Sequence, residues 1–374
     1  MLKIFVTGDN HIGKKYDKHE EAAKLVQCRM DAFDSMVEKA NQEECGLFVI
    51  TGDLFDKTYG ITAQVIKDLM KKLAEFHGTV VVLPGNHDFY DADDPKIWKQ
   101  VEKEQADNVL LLKEYKPYSV PVGDETAVLY PAFCKTLHSN ANENNLGWIK
   151  NTAIEQDGAY HIGIAHGAVE GETIDNEGKY FCMTRKELES IPVDVWLLGH
   201  THVPFPKNLT EEFKPCEKIL NPGTHVQTDV NCNTEGLCFI VEIGDDKKVC
   251  TKKFVSGNMR FYRETVTISA GEMEEDLDRV LAKMDDNSVV ELTLQGAATE
   301  DEYARRVVMM EEKCARFVEY KFDDSALSRL ITPDMVTKEF PETSFSARLL
   351  TALMDEPKEA QLAYELLQAL KEGK

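Results

Sequence analysis

Five short segments each place a metal-capable side chain just beyond an apolar run: Gly8-Asp9-Asn10-His11, Gly52-Asp53-Leu54-Phe55-Asp56, Gly85-Asn86-His87-Asp88, His166-Gly167 and Gly199-His200-Thr201-His202. Carboxylate, amide and imidazole donors mixed in this way suit manganese, iron or zinc better than a thiolate site would. Seven of them, Asp9, His11, Asp53, Asn86, His166, His200 and His202, are too many for one tetrahedral zinc. They suffice for two divalent ions sharing one carboxylate, at the roughly 3.5–4 Å spacing of two-metal hydrolases. Taken alone, an Asp-x-His is an ordinary turn and a histidine beside apolar residues an ordinary core group, so no single segment says much. All five in order, each at a strand end, leave coincidence a poor explanation.

The elements that must position these residues are legible as patterns. LKIFVTG (2–8), LFVITG (47–52) and VVVLPG (80–85) are β-branched and apolar, and helical periodicity follows each, over about 18–43, 62–76 and 95–106. Strand–helix alternation of this kind implies a largely parallel, buried sheet. Ligands of such sheets sit beyond the carboxyl ends of the strands, where glycine lets the chain turn. From 109 the strands crowd together (109–112, 118–122, 127–131, 160–166, 193–200, 218–223, 237–244, 249–255), with one helix expected near 145–156. Two sheets packed face to face with helices outside accommodate this content. After Arg260 the pattern is strand (260–269), helix (273–284), strand (289–296), helix (300–314) and strand (317–322), which reads as a small separate α+β domain. A tail over 343–371 carries two apolar-periodic helices, with a break expected at Pro357.

Composition narrows the functions. Of 374 residues, 43% are hydrophobic and 29% charged, enough to bury a core and to exclude wholesale disorder. No apolar run approaches the roughly 20 residues of a spanning helix, so no membrane role is expected. MLKIFVTGDNH is too short in its apolar run for a signal peptide and reads as a first strand. Nine cysteines without a C-x-x-C pair fit a reducing cytoplasm. The net charge of −23 argues against a free-standing, non-specific nucleic-acid binder, though a local basic groove remains compatible with it.

The order D-x-H, GD, GNHD, H, GHxH resembles the calcineurin-like metallophosphoesterase superfamily. Within it, GDNHIGKKY, GDLFD, PGNHDFY, the run from His166 through MTRKEL to VDVWLLGHTH, and NPGT (221–224) look most like SbcD-type DNA repair exonucleases. The RFYRETVTIS strand and the helical tail add to the likeness. The resemblance implies a four-layer α/β/β/α sandwich (1–258), a small α+β capping domain (259–340) and a helical tail (341–374). It also implies two ions, manganese first with iron or zinc as alternatives. Asp9, His11, Asp53 and His202 would hold one and Asp53, Asn86, His166 and His200 the other, with Asp53 shared. His87 would stabilise the developing charge and protonate the leaving group. DNA, a SbcC-like coiled-coil ATPase and a second copy of the chain are the partners it points to.

Other features stay open at this level. Asp56 stands where some relatives carry a histidine, and a supporting role and a simple loop role are evenly matched. Asp88 could orient His87, bond a backbone amide or cap a turn. Lys14 and Lys15 could touch a phosphate backbone or simply be solvated, and Lys252, Lys253, Arg260 and Arg263 read better as outward residues on strands than as a channel. The tryptophans Trp98, Trp148 and Trp196 read as core. Two rival functions are a small-molecule phosphodiesterase or phosphatase with the same site, which the acidic balance favours, and a non-enzymatic scaffold, which the intact motif set disfavours.

Overall fold

The computed structural model describes residues 1–141, 143–155, 157–171 and 178–371. The chain divides into two compact units, Met1–Met259 and Arg260–Lys374.

In the first unit the elements run β1 (Leu2–Thr7), α1 (Ala22–Gln42), β2 (Leu47–Ile50), α2 (Ala63–Ala74), β3 (Thr79–Val82), α3 (Ile97–Glu104), β4 (Val109–Leu111), β5 (Tyr118–Val122), β6 (Glu125–Ala132), α4 (Gly147–Lys150), β7 (Tyr160–His166), α5 (Arg185–Ser190), β8 (Val195–Gly199), β9 (Lys214–Pro215), β10 (Ile219–Leu220), β11 (Leu237–Ile243) and β12 (Val249–Val255). They form a seven-stranded sheet in the order β4-β3-β2-β1-β11-β12-β9 and a five-stranded sheet in the order β10-β8-β7-β6-β5. Pairing from β1 through β4 is parallel, as is pairing among β6, β7, β8 and β10. The carboxyl ends of β1, β2 and β3 therefore lie at one edge of the first sheet, and those of β7 and β8 at one edge of the second.

Alternation along the strands builds the layers. Leu2, Ile4, Val6, Val49 and Val81 face Leu129, Ile162, Ile164 and Leu197 in a core between the sheets. Phe5, Phe48, Ile50 and Val82 point the other way, onto Phe33, Met36, Leu69, Leu73 and Trp98 of the first three helices. Beyond the second sheet, Tyr130, Ala165, Trp196 and Leu198 pack against Ile149 and Leu188. The result is the α/β/β/α sandwich that the pattern predicts. The expected helix at 145–156 shortens to the single turn α4. The helix α5 was not anticipated, although its capping box is written in the sequence: the Thr184 hydroxyl accepts from Glu187 N at 3.1 Å while Glu187 Oε2 accepts from Thr184 N at 2.9 Å.

The second unit runs β13 (Arg260–Ile268), α6 (Met273–Leu281), β14 (Ser288–Ala298), α7 (Glu300–Cys314), β15 (Glu319–Arg329), α8 (Pro333–Glu339), α9 (Phe345–Ala352) and α10 (Pro357–Lys371). Its three strands are parallel in the order β13-β14-β15. Val266, Ile268, Leu292 and Leu294 meet Leu277, Leu281 and Met310 in its own core. The tail has the two expected helices with the break at Pro357, which opens α10, where its missing N–H costs nothing. Leu350, Ala360 and Tyr364 bury together, while Leu362, Leu366 and Leu370 form an exposed stripe on α10. Among the described residues no helix is long and apolar enough to cross a membrane, and the nine cysteines are all free.

Candidate dinuclear metal centre

Asp9 follows β1, Asp53 follows β2, Asn86 and His87 follow β3, His166 ends β7, and His200 and His202 follow β8. Parallel pairing places each of these strand ends beside its neighbour's, and the side chains converge. Five of the ligand candidates take a positive φ: Asp9 (49°), His11 (45°), Asp53 (51°), His200 (108°) and His202 (54°). Outside glycine that region is costly and is best tolerated by Asn, Asp and His. The sharp reversals let short side chains turn back over the strand ends. Glycine is required where two of these loops touch: a Cβ on Gly85 would lie 2.2 Å from Asp53 Oδ1, and one on Gly52 would lie 2.1 Å from His166 Nδ1.

The carboxylate of Asp9 accepts from His200 N at 2.9 and 3.0 Å and from His202 N at 3.3 Å. The Nε2 atoms of His11 and His202 face each other at 2.9 Å. Asp53 Oδ1 accepts from His87 N at 2.8 Å. Its Oδ2 lies 3.8 Å from His11 Nε2 and 3.4 Å from His166 Nε2, between the two groups of donors. Asn86 Oδ1 sits 3.0 Å from His166 Nε2 and 3.1 Å from His200 Nδ1. His166 Nδ1 donates to the Thr51 carbonyl at 2.9 Å, which leaves the Nε2 lone pair for a ligand, the usual arrangement behind a metal-binding imidazole.

The donor set fits divalent cations. Ligand-capable atoms of Asp9, His11 and His202 lie within 4.8 Å of one another, as do those of Asp9, Asp53 and His166. Of these five groups all but His202 are buried, and burial works against charge on Asp9, His11, Asp53 and His166. Burial opposes a charge on His166, yet the adjacent Asp53 carboxylate overrides it and lifts the imidazole to about 9. Burial pushes Asp9 up and His11 well down. Burial, helped by the charge on His166, takes His200 down to about 3.

All seven predicted ligands are thus brought together, and His87 stands beside them. Its side chain is exposed, its ring packs edge-on at 4.9 Å from that of His11, and Nδ1 donates to the Asp56 carbonyl at 3.2 Å. Asp56 meets His87 through its main chain, while its Oδ1 lies 3.6 Å from His11 Nδ1. Asp88 turns out to join two loops: Oδ1 accepts from Gly85 N at 2.7 Å and Oδ2 from Phe55 N at 3.0 Å. Burial and then the Asp53 charge push it up to about 7. Lys15 is exposed, and Lys14 lies 5.8 Å from the Tyr16 ring centre. Lys252 pairs with Glu43 at 2.8 Å and Lys253 with Glu235 at 3.1 Å, as outward strand residues do. Tyr180, not singled out from the sequence, packs its ring 5.1 Å from that of His200. Arg29, Thr224 and His225 were also missed. All three are buried behind the Asp9 loop, and the one sequence signal was an arginine on the apolar stripe of α1.

Among solved structures the chain is similar to TT1561 of Thermus thermophilus, at 12% identity over 67% of this chain and 97% of that one, with a TM-score of 0.40. It is similar also to purple acid phosphatase PPD1 of yellow lupin (13%, 68% and 51%, TM-score 0.39) and to nuclease MPE of Pseudomonas putida (14%, 68% and 75%, TM-score 0.25). Residues 2–204, more than half of the chain, match the calcineurin-like phosphoesterase family. The protein belongs to that family of phosphoester hydrolases with a dinuclear metal site.

Proposed function

We propose that the protein is a two-cation phosphodiesterase acting on DNA, of the SbcD type. The observation that carries the chemistry is Asp53 Oδ2, set between His11 and His166 within 3.8 and 3.4 Å. In this reading Asp9, His11, Asp53 and His202 hold one ion and Asp53, Asn86, His166 and His200 the other, with manganese the leading candidate and iron or zinc the alternatives. Bound there, two divalent ions supply a water of near-neutral pKa and neutralise phosphate charge. The protein's own groups do the rest. Asp9 is fixed by two backbone N–H donors, and His166 is held in its ligand tautomer by Thr51. His87 Nδ1–H donates to Asp56 O, so Nε2 is the ring atom that faces the leaving oxygen, and it can protonate that oxygen only when the ring enters the reaction as the doubly protonated imidazolium and leaves it neutral.

The choice of DNA is supported by the SbcD-like motif set and by the second unit, for which a small-ester hydrolase has no evident use. The exposed leucines of α10 support docking to a coiled-coil ATPase of the SbcC kind. The net charge of −23 favours the other reading, a small-molecule phosphodiesterase or phosphatase. Chelated protein reloaded with manganese, assayed on end-labelled duplex DNA and on a chromogenic phosphodiester, separates them. Metal-dependent DNA cleavage is expected; fast small-ester turnover with intact DNA would replace the first reading by the second.

A further inference from the structure

Arg29 is the one arginine on the buried face of α1, 1% exposed. A buried cation ordinarily needs a carboxylate, and among the described residues this one has none as a hydrogen-bond partner. Its guanidinium instead spreads over main-chain and hydroxyl oxygens. Nε and Nη2 both donate to the Asn10 carbonyl, at 3.1 and 2.6 Å, and Nη1 donates to the Val226 carbonyl at 3.0 Å. Weaker contacts reach Tyr16 Oη, Gln227 O and Thr224 Oγ1.

Asn10 lies between Asp9 and His11, both in the left-handed backbone region, and such strained residues persist only when their surroundings over-determine them. The surroundings here are specific. The Asn10 carbonyl is clamped by two guanidinium donors, and the Asp9 carbonyl accepts from Thr224 Oγ1 at 2.9 Å. The 224–227 segment is in turn joined to the same strand end, with Thr224 bridging Gly8. It also grips α1, since His225 Nε2 donates to the Arg29 carbonyl at 3.0 Å. Among the described residues, no hydrogen bond runs from Arg29 or Thr224 to Asn86, His166 or His200.

We propose that Arg29, with Thr224 as its relay, is a positioning residue for one of the two cations: it holds the Asp9–His11 arm in the backbone conformation that aims both side chains at a single ion. The inference rests on the two-ion reading above. The second ion would be held by Asn86, His166 and His200, none of which is hydrogen-bonded to Arg29 or Thr224 among the described residues, so it is expected to lose far less than the first.

The test is manganese binding. Chelated wild-type protein, Arg29→Lys and Thr224→Val are titrated with manganese by calorimetry, and the loaded samples are examined by electron paramagnetic resonance, which distinguishes a spin-coupled pair from a lone ion. Lysine keeps the charge but, as a point donor, cannot span Asn10 O and Val226 O together. Both variants are expected to keep one site within about twofold of wild type and to weaken the other by about tenfold or more, as loss of a ligand's outer support does. The coupled signal then gives way to a lone-ion signal at manganese levels that saturate the wild type. Two sites of wild-type affinity in the folded variants would overturn the proposal, and so would equal weakening of both. Thr224→Val carries the test alone if Arg29→Lys does not fold. Fewer than two ions on the wild type would overturn the two-ion reading itself, an outcome distinct from either.

Discussion

Replacing Asp88 by alanine isolates the scaffold from the chemistry. The carboxylate of Asp88 is the acceptor for two buried main-chain donors, Gly85 N at 2.7 Å and Phe55 N at 3.0 Å, and so ties the loop after β3 to the loop after β2. Each buried donor left without an acceptor costs roughly 1–3 kcal/mol, so Asp88→Ala is expected to destabilise the first unit by about 2–6 kcal/mol, against a typical total of about 5–15. Asp88→Asn keeps one carbonyl oxygen and loses about half as much. The assay is urea unfolding in chelator followed by tryptophan fluorescence. The chain's three tryptophans, Trp98, Trp148 and Trp196, all lie in Met1–Met259, so the signal reports that unit alone. Chelator removes the stabilisation that bound cations would add. A midpoint shift worth less than about 0.5 kcal/mol at unchanged slope would refute the assignment of Asp88 as the tie between the loops.

Gly85→Ala forces a Cβ to within 2.3 Å of Asp53 N and displaces the Asp53 carboxylate; turnover of a phosphodiester should fall by about 100-fold, the cost of a displacement near 1 Å. Glu187 is held at about 2 because, against the upward push of burial, Lys150 and the Thr184 cap favour its charge. A depressed folded-state value contributes stability above the unfolded value of 4.5 and loses it as pH falls toward about 2. Glu187→Gln should therefore lower the urea midpoint at pH 7, and its deficit relative to wild type should shrink between pH 4.5 and pH 2; a constant deficit would contradict this. Leu294→Ala, fully buried in the core of the second unit, should cost about 2–5 kcal/mol in the far-ultraviolet transition and leave the tryptophan transition in place.

The candidate ligands were legible because each sits at, or within four residues of, the carboxyl end of an apolar strand, where the sequence announces both the strand and the turn. What joins the loops behind them was not. Arg29 occupies a core position on α1 by helical spacing, and nothing local tells that the carbonyls of Asn10 and Val226 close around it. Asp88 reads as a turn cap or an acceptor for a backbone amide and is both, but its second partner, Phe55, lies on another loop and leaves no mark in the local sequence. The helix expected at 145–156 failed for the opposite reason: its apolar residues Leu146 and Ile149 are buried, but a single turn supplies that contact and the chain then leaves for β7. In the tail Pro357 was plain, since proline cannot continue one helix and readily starts the next.

The left-handed backbone at Asp9, His11, Asp53 and His202 also bears on how such a centre could be lost. Asparagine and glycine enter that conformation at least as easily as the residues now there. A lineage that no longer needed catalysis could drift to either at His11 and His202, and to asparagine at Asp9 and Asp53, whose amide oxygen would still accept from the His200 and His87 main chains. An inactive descendant would then keep its shape, and the trace of its past would be small residues at the four turns.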